Sequence, residues 1–104
     1  MMELSERYVF HIPLCKFKDN LLLPIDIDEV LEDLIMRMDH DSLYVTKAQG
    51  HYKSRSYDEL LVTVFSSSDD LGGIFEDWFR ANNIILEQDA LAYEHNGKMY
   101  IQCL

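Results

Sequence analysis

The segment Glu59–Phe65, which reads ELLVTVF, constrains the fold of this chain more than any other segment. Side chains of a strand point alternately to its two faces. One face here would hold Leu60, Val62 and Val64, and the other Leu61, Thr63 and Phe65. A strand that is apolar on both faces is typical of the interior of a sheet, where it is covered on both sides. The segment therefore predicts a central strand.

The rest of the chain predicts two helices and four more strands around this one. In chain order, the predicted elements are a strand at 7–14, a helix at 26–40, strands at 43–55 and 59–65, a helix at 69–82, and strands at 90–95 and 98–103. Residues 16–25 are expected to form an irregular connection. The dipeptide Asn96-Gly97 predicts a tight hairpin between the last two strands, because both residues tolerate a left-handed backbone.

Both helices carry recognisable end signals. Asp26 fits the N-cap of the first helix, and Glu29 three residues later completes a capping box. A serine of the run 66–68 fits the same role in the second helix, and Asn82-Asn83 predicts its end. Each helix also has one apolar stripe at spacings of three and four, so each is expected to pack on a sheet.

The order of elements is β-α-β-β-α-β with an extra C-terminal hairpin strand. Two β-α-β units joined by a hairpin predict an α+β fold of the ferredoxin-like type. Right-handed connections would place both helices on one face of an antiparallel sheet. The chain has 104 residues, 48% of them hydrophobic, which suits one buried core and a single domain spanning 1–104.

Two short runs carry a resemblance to a known family. The run RSYDELLV at 55–62, followed after a helix by QDAL at 88–91, resembles a small bacterial domain family. That family carries an Arg-Ser pair before its third strand and a glutamine before its last. The resemblance implies a ferredoxin-like fold and no established function.

The chain is strongly acidic. Nineteen acidic residues against nine basic ones give a net charge of −10. Such a surface repels phosphate backbones, so we expect no nucleic-acid partner. The acidity suits simple solubility. It also suits an acidic inhibitor of the phage anti-defence type, in which the acidic stretch 26–41 would mimic nucleic acid on a basic protein partner.

The sequence indicates a cytoplasmic protein. Two cysteines, Cys15 and Cys103, are too few for a disulfide scaffold and fit a reducing compartment; a single bridge between them is the alternative. No run approaches the roughly 20 apolar residues of a membrane span. The N-terminal MMELSERYVF lacks the pattern of a secretory signal. We therefore expect no membrane partner.

The sheet face opposite the helices is expected to be apolar and uncovered. Val9, His11, Leu61 and Phe65 would lie there and line either an open-face pocket or a seam between two copies. A homodimer packed sheet to sheet is the predicted solution. The alternative is a monomer whose C-terminal segment covers this face.

A local excess of basic residues interrupts the acidic chain. From Leu43 to Tyr57 there are three basic residues and no acidic one. His51, Lys53 and Arg55 would alternate onto one face of a strand and bind an anion, with arginine as the bidentate partner. Two other interpretations are charges that protect an edge strand from pairing and ion pairs with the acidic helix.

The sequence shows no recognisable catalytic set. No two histidines stand at i, i+3 or i+4, so no metal or other cofactor is predicted. His95, just before the hairpin turn, is expected to be solvated. We therefore expect a homodimeric binding or interaction protein without catalysis. Besides the acidic inhibitor, the alternative is a small dimeric α+β barrel enzyme that uses His11 with Arg55 or Tyr57 in an open-face pocket.

Overall fold

The computed structural model of the chain describes residues 1, 3–38, 42–52 and 54–104. Over these residues the chain has an α+β architecture. Its elements are β1 (Glu6–Pro13), β2 (Cys15–Lys18), β3 (Leu21–Pro24), α1 (Asp28–Arg37), β4 (Ser42–Tyr52), β5 (Arg55–Ser66), α2 (Leu71–Leu86), β6 (Ala90–His95) and β7 (Lys98–Cys103). No helix within these ranges is both long enough and apolar enough to span a membrane.

Five strands form an antiparallel sheet in the order β4-β5-β1-β6-β7. The strands β2 and β3 form a separate antiparallel hairpin. The predicted α+β class and antiparallel sheet are therefore confirmed. The ferredoxin-like assignment stays a prediction, because β7 extends the sheet beyond β6 and the β2–β3 hairpin interrupts the expected order of elements.

The core lies between one face of this sheet and the helices. Fully buried side chains come from the middle strands, for example Phe10 of β1 and Val62 of β5. Leu34 of α1 and Phe75 of α2 belong to the same buried cluster. Trp78 joins the two helices, since its indole Nε1 donates a 2.8 Å hydrogen bond to the Val30 carbonyl. We call the opposite side of the sheet the open face; it carries Val9 and His11 of β1 and Leu61 and Phe65 of β5.

The hairpins follow the conformation of their turn residues. The predicted β6–β7 hairpin is confirmed, with Asn96 at φ 51° and Gly97 at φ 83°. The prediction of an irregular connection at 16–25 is wrong. Asp19 and Asn20 adopt φ values of 52° and 61°, which suit the two-residue turn of a hairpin and pair β2 with β3.

The predicted strand 43–55 is also wrong at its end. β4 stops at Tyr52, and Arg55 opens β5. Ser54 in the turn has φ 64°, a left-handed conformation that reverses the chain. Arg55 therefore belongs to the strand after the one predicted for it. This one boundary decides which residues share the site described below.

The second helix runs past its predicted end. The Asn82 amide donates to the Trp78 carbonyl at 2.9 Å, which keeps this residue within the helix. Asn83 makes two hydrogen bonds to the backbone of Gln88, at 3.0 and 2.9 Å. The helix ends only at Leu86, where Glu87 turns left-handed with φ 50°. The asparagine pair thus ties down the following turn.

The start of the first helix partly follows its predicted signal. Asp26 Oδ1 accepts a 3.2 Å hydrogen bond from the backbone N–H of Asp28, as the predicted cap should. The N-cap position itself is Ile27, one residue later, and it forms no side-chain capping bond. Residues 39–41, at the predicted end of this helix, lie outside the described residues.

Candidate functional site

A cleft of about 650 Å³ opens at one end of the open face. It lies where β1, β5 and the start of β6 approach the β2–β3 hairpin. We call it the open-face cleft. Its polar lining includes His11, Arg55, Tyr57, Glu59 and Gln88. A smaller adjoining cleft of about 300 Å³, the hairpin cleft, is lined by Phe17, Asn20, Leu22, Arg55 and Ser56.

Strand β5 supplies three of these side chains at alternate positions. Arg55, Tyr57 and Glu59 follow one another at every second residue, so all three point to the open face. His11 joins them from β1, because the register places it opposite Leu61, two residues beyond Glu59. A cation, a phenol, a carboxylate and an imidazole therefore line one cleft.

The imidazole and the carboxylate are neighbours. His11 Nδ1 lies 3.5 Å from Glu59 Oε2, and their side chains are 24% and 14% exposed. This diagonal contact between neighbouring strands is within reach of long side chains. Glu59 is thus a mostly buried carboxylate with its imidazole partner beside it. Such a group can attract a cation or accept a proton.

The phenol of Tyr57 is held in its neutral form. Burial raises its pKa, and the nearby Glu59 carboxylate raises it further. The hydroxyl therefore remains a hydrogen-bond donor at neutral pH. Its ring lies against Gly50 of β4, where a Cβ atom would collide with it. A glycine inside a strand often marks such a close approach.

Cys15 also lines the cleft but is not poised as a nucleophile. Burial raises the pKa of its thiol, and the carboxylates of Asp58 and Glu59 raise it further. The Sγ atom lies 3.8 Å from the Asp58 carbonyl, to which the thiol donates. Because the thiolate is the reactive form, this cysteine is kept unreactive.

Gln88 fixes one wall of the cleft. Its side-chain Nε2 donates to the carbonyls of Cys15 and Leu86, at 3.0 and 2.7 Å. These bonds join the turn after α2 to the β2–β3 hairpin. Lys16 and Glu87 add an ion pair of 3.3 Å between the same two segments. Hydrogen bonds and an ion pair therefore hold the turn after α2 against the β2–β3 hairpin.

The predicted anion site is not assembled as expected. His51 pairs with Ser56 and Tyr52 with Arg55, so His51 and Arg55 lie on opposite faces of the β4–β5 ladder. Lys53 lies outside the described residues. The prediction that His51 and Arg55 share one face of one strand is wrong, because a turn separates them. Arg55 instead stacks on the Phe17 ring of β2, with its guanidinium carbon 3.9 Å from the ring centroid.

The predicted open-face residues do lie on one face. The register pairs Val9 with Thr63, His11 with Leu61 and Arg7 with Phe65. Val9 is buried within the single chain, and Leu61 and Phe65 are half-buried. The C-terminal segment does not lie across them, because β7 extends the sheet at its edge beside β6. Only His11 of the predicted four lines the open-face cleft.

Sequence reasoning missed Glu59 as a site residue. The signal was the alternation Arg55, Tyr57, Glu59, which became visible only once all three were placed on one strand. Within the described ranges, no three His, Cys, Asp or Glu side chains are grouped so as to hold a metal ion.

Comparisons with known proteins give one informative similarity. No family model matches the chain, and no curated protein matches it. Among solved structures, it is similar to a phage SAM lyase in its apo state, with a TM-score of 0.67 and 14% sequence identity. The similarity covers 100% of this chain and 95% of the lyase chain. At this identity it shows a shared fold, which extends along both chains.

Proposed function

We propose that this protein is a small enzyme that binds a sulfonium compound in the open-face cleft and cleaves it. S-adenosylmethionine is the first ligand to test. The observation that carries the proposal is the convergence of His11, Arg55, Tyr57 and Glu59 on one cleft. The fold shared with a phage SAM lyase supports the choice of ligand.

The charges of the cleft suit such a ligand. S-adenosylmethionine carries a sulfonium and an ammonium, both cationic, and one carboxylate. Glu59 and Asp89 offer carboxylates to the cationic groups, and Arg55 offers a guanidinium to the anionic one. The ring of Tyr57 adds an aromatic surface, which attracts cations. The cleft therefore offers a group of opposite charge to the cationic groups and to the carboxylate of the ligand.

Cleavage of the carbon–sulfur bond of a sulfonium compound requires little from the protein beyond holding the ligand in position. When the bond between carbon and sulfur breaks, its electron pair leaves on sulfur as a neutral thioether, so no acid is needed. The carbon must then receive a pair from a nucleophile, or from a neighbouring C–H bond whose proton a base accepts. Glu59 would hold the sulfonium in the first case and accept the proton in the second. His11 would keep its carboxylate in place.

The test is a cleavage assay followed by chromatography. The protein should consume S-adenosylmethionine and release a thioether, and Glu59→Gln should lower the rate at least about a hundredfold, as expected for loss of a catalytic carboxylate. Glu94→Gln is the matched control. Glu94 also lies on the open face, but it pairs with Arg7 at 3.5 Å, away from the cleft. No consumption by the wild-type protein, or equal losses in both variants, would refute the proposal.

A second candidate is a homodimeric binding protein without catalysis. The half-buried Phe65 and Leu61 on the open face support it, because an uncovered apolar patch often marks an interface. Light scattering should then show a dimer in the wild-type protein and a folded monomer in Phe65→Asp. A wild-type monomer at all concentrations would remove this candidate. The acidic inhibitor remains a further alternative, supported by the net charge of −10 and testable by salt-sensitive binding to a basic protein.

Two finer assignments accompany the proposal. With β7 and the β2–β3 hairpin set aside, the order β4-β5-β1-β6 consists of two interleaved β-α-β units, which supports the ferredoxin-like type. The free cysteines Cys15 and Cys103 support a cytoplasmic setting.

A further inference from the structure

The four arginines of the chain differ in their partners. Three of them pair with carboxylates, namely Arg7 with Glu94, Arg37 with Asp33 and Arg80 with Glu76. Arg55 has no carboxylate partner among the residues that the structure describes. Among the four arginines, Arg55 is therefore the one whose guanidinium is left available to an external anion within the described residues.

An aromatic ring holds Arg55 in place. The guanidinium carbon lies 3.9 Å from the centroid of the Phe17 ring, well within the range of a cation–π contact. Such a contact uses the flat face of the guanidinium. Its N–H groups point outward in the plane and stay available for two parallel hydrogen bonds. Arg55 held over this ring can therefore offer two N–H groups to a planar, two-oxygen acceptor.

Two neutral polar residues lie beside this arginine. Asn20, in the β2–β3 turn, and Ser56 of β5 line the hairpin cleft together with Arg55 and Phe17. The Asn20 amide can donate further hydrogen bonds to an oxyanion. Ser56 pairs with His51, so its side chain points to the opposite face of β5 from Arg55. Arg55, Phe17 and Ser56 also line the open-face cleft, so the two clefts meet at the guanidinium.

We propose that Arg55 and Asn20 form a carboxylate-binding subsite where the two clefts meet, and that Phe17 positions the guanidinium. The inference rests on the proposed function and narrows its ligands to sulfonium compounds of the amino-acid type. The carboxylate would dock against Arg55, and the sulfonium would lie toward Glu59.

The test compares two ligands that differ by one group. Decarboxylated S-adenosylmethionine keeps the sulfonium and the adenosine but lacks the carboxylate. By isothermal titration, with ligand integrity checked afterwards by chromatography, wild-type protein should bind it about tenfold or more weakly than S-adenosylmethionine. Arg55→Gln should weaken binding of S-adenosylmethionine by a similar factor and leave binding of the decarboxylated ligand unchanged.

The positioning role of Phe17 needs its own pair of variants. Phe17→Trp keeps an aromatic face and should preserve the discrimination between the two ligands, whereas Phe17→Leu should reduce it severalfold. Leu21→Ala, on the facing strand of the same hairpin but outside the lining of both clefts, is the matched control and should leave discrimination intact. Equal binding of both ligands to wild-type protein would overturn the subsite while leaving the proposed function standing. Binding of neither ligand would overturn both.

Discussion

Two histidine–glutamate pairs stand at different ends of the central sheet. In the open-face cleft, His11 Nδ1 lies 3.5 Å from Glu59 Oε2. On the other side of the sheet, His95 Nε2 lies 3.6 Å from Glu6 Oε1. The distances are alike, but the surroundings are not. The comparison shows that the same two residue types serve packing in one place and face a cleft in the other.

The His95 pair is built into the fold. Its ring stacks on Tyr8 with centroids 4.1 Å apart, and its Nε2 is shielded from solvent. Glu6 Oε2 also accepts a 2.9 Å hydrogen bond from the Asn96 side chain of the β6–β7 turn. The expectation of a solvated His95 is therefore wrong. The register between β1 and β6 places His95 opposite Tyr8, and this pairing explains the difference.

The largest expected contrast comes from neutralising each glutamate. Glu59→Gln should remove cleavage of the sulfonium ligand, because it deletes the carboxylate that faces the cleft. Glu6→Gln should leave cleavage unchanged and lower the free energy of unfolding by about 1 kcal/mol, through a weakened hydrogen bond to Asn96. Rates by chromatography and stability by urea denaturation separate the two. Loss of cleavage in Glu6→Gln would end the distinction between the pairs.

A second contrast uses two glycines that each lie against a tyrosine ring. In Gly50→Ala, the new Cβ would collide with Tyr57 in the cleft, and in Gly72→Ala it would meet the Tyr93 hydroxyl at 2.5 Å beside the core. Gly72→Ala should destabilise the fold by about 1–3 kcal/mol, as overpacking does. Gly50→Ala should reduce the magnitude of the free energy of ligand binding more than it lowers the free energy of unfolding, because the displaced Tyr57 ring lies at the cleft. Titration and denaturation of both variants check this, and unchanged ligand binding in Gly50→Ala would contradict it.

A third contrast concerns the stability of the protein at alkaline pH and two tyrosines, Tyr8 and Tyr57. Burial raises the pKa of both Tyr8 and Tyr57 above the ordinary value of 10.0. The unfolded chain then loses these protons first, so stability should fall as the pH rises from about 10 toward the folded-state values. Tyr57→Phe and Tyr8→Phe should each make this decline shallower. Urea denaturation at pH 8 and at higher pH measures it; identical slopes in all three proteins would contradict the assignment.

The smallest contrast concerns the imidazoles. His95→Ala should lower the free energy of unfolding by about 1 kcal/mol, the typical contribution of a stacked aromatic pair. His11→Ala should lower the free energy of unfolding less than His95→Ala does. It should lower the affinity for the ligand more than His95→Ala does. Urea denaturation and titration compare the two variants. A larger stability loss in His11→Ala would show that the cleft histidine is the structural one.

Much of the fold was predictable because it depends on local signals. The alternation in Glu59–Phe65 indicated an interior strand, and β5 lies between β4 and β1. Asn96-Gly97 fixed the last hairpin through its left-handed turn. The β2–β3 hairpin was missed, although Asp19 and Asn20 also tolerate positive φ, since the apolar run after them shows no clear alternation.

The site was less predictable because it depends on register. His11, Arg55 and Tyr57 were candidates from their types and positions alone. Glu59 joined them only once Arg55 was placed on the same strand as Glu59, and the β1–β5 register then set His11 beside it. The β4–β5 turn has no diagnostic dipeptide, so Arg55 was placed on the wrong strand and beside the wrong partner.

The central claim is that the cleft with the His11–Glu59 pair is the ligand site, and that the His95–Glu6 pair is not. Isotope-labelled protein titrated with S-adenosylmethionine tests it directly, by following each backbone amide in NMR spectra. Shifts should concentrate at His11, Phe17 and the segment 55–59, and saturate with ligand. The amides of Glu6 and Asn96 should stay in place. Shifts centred on Glu6 and Asn96, or no saturable shift at 55–59, would contradict the account.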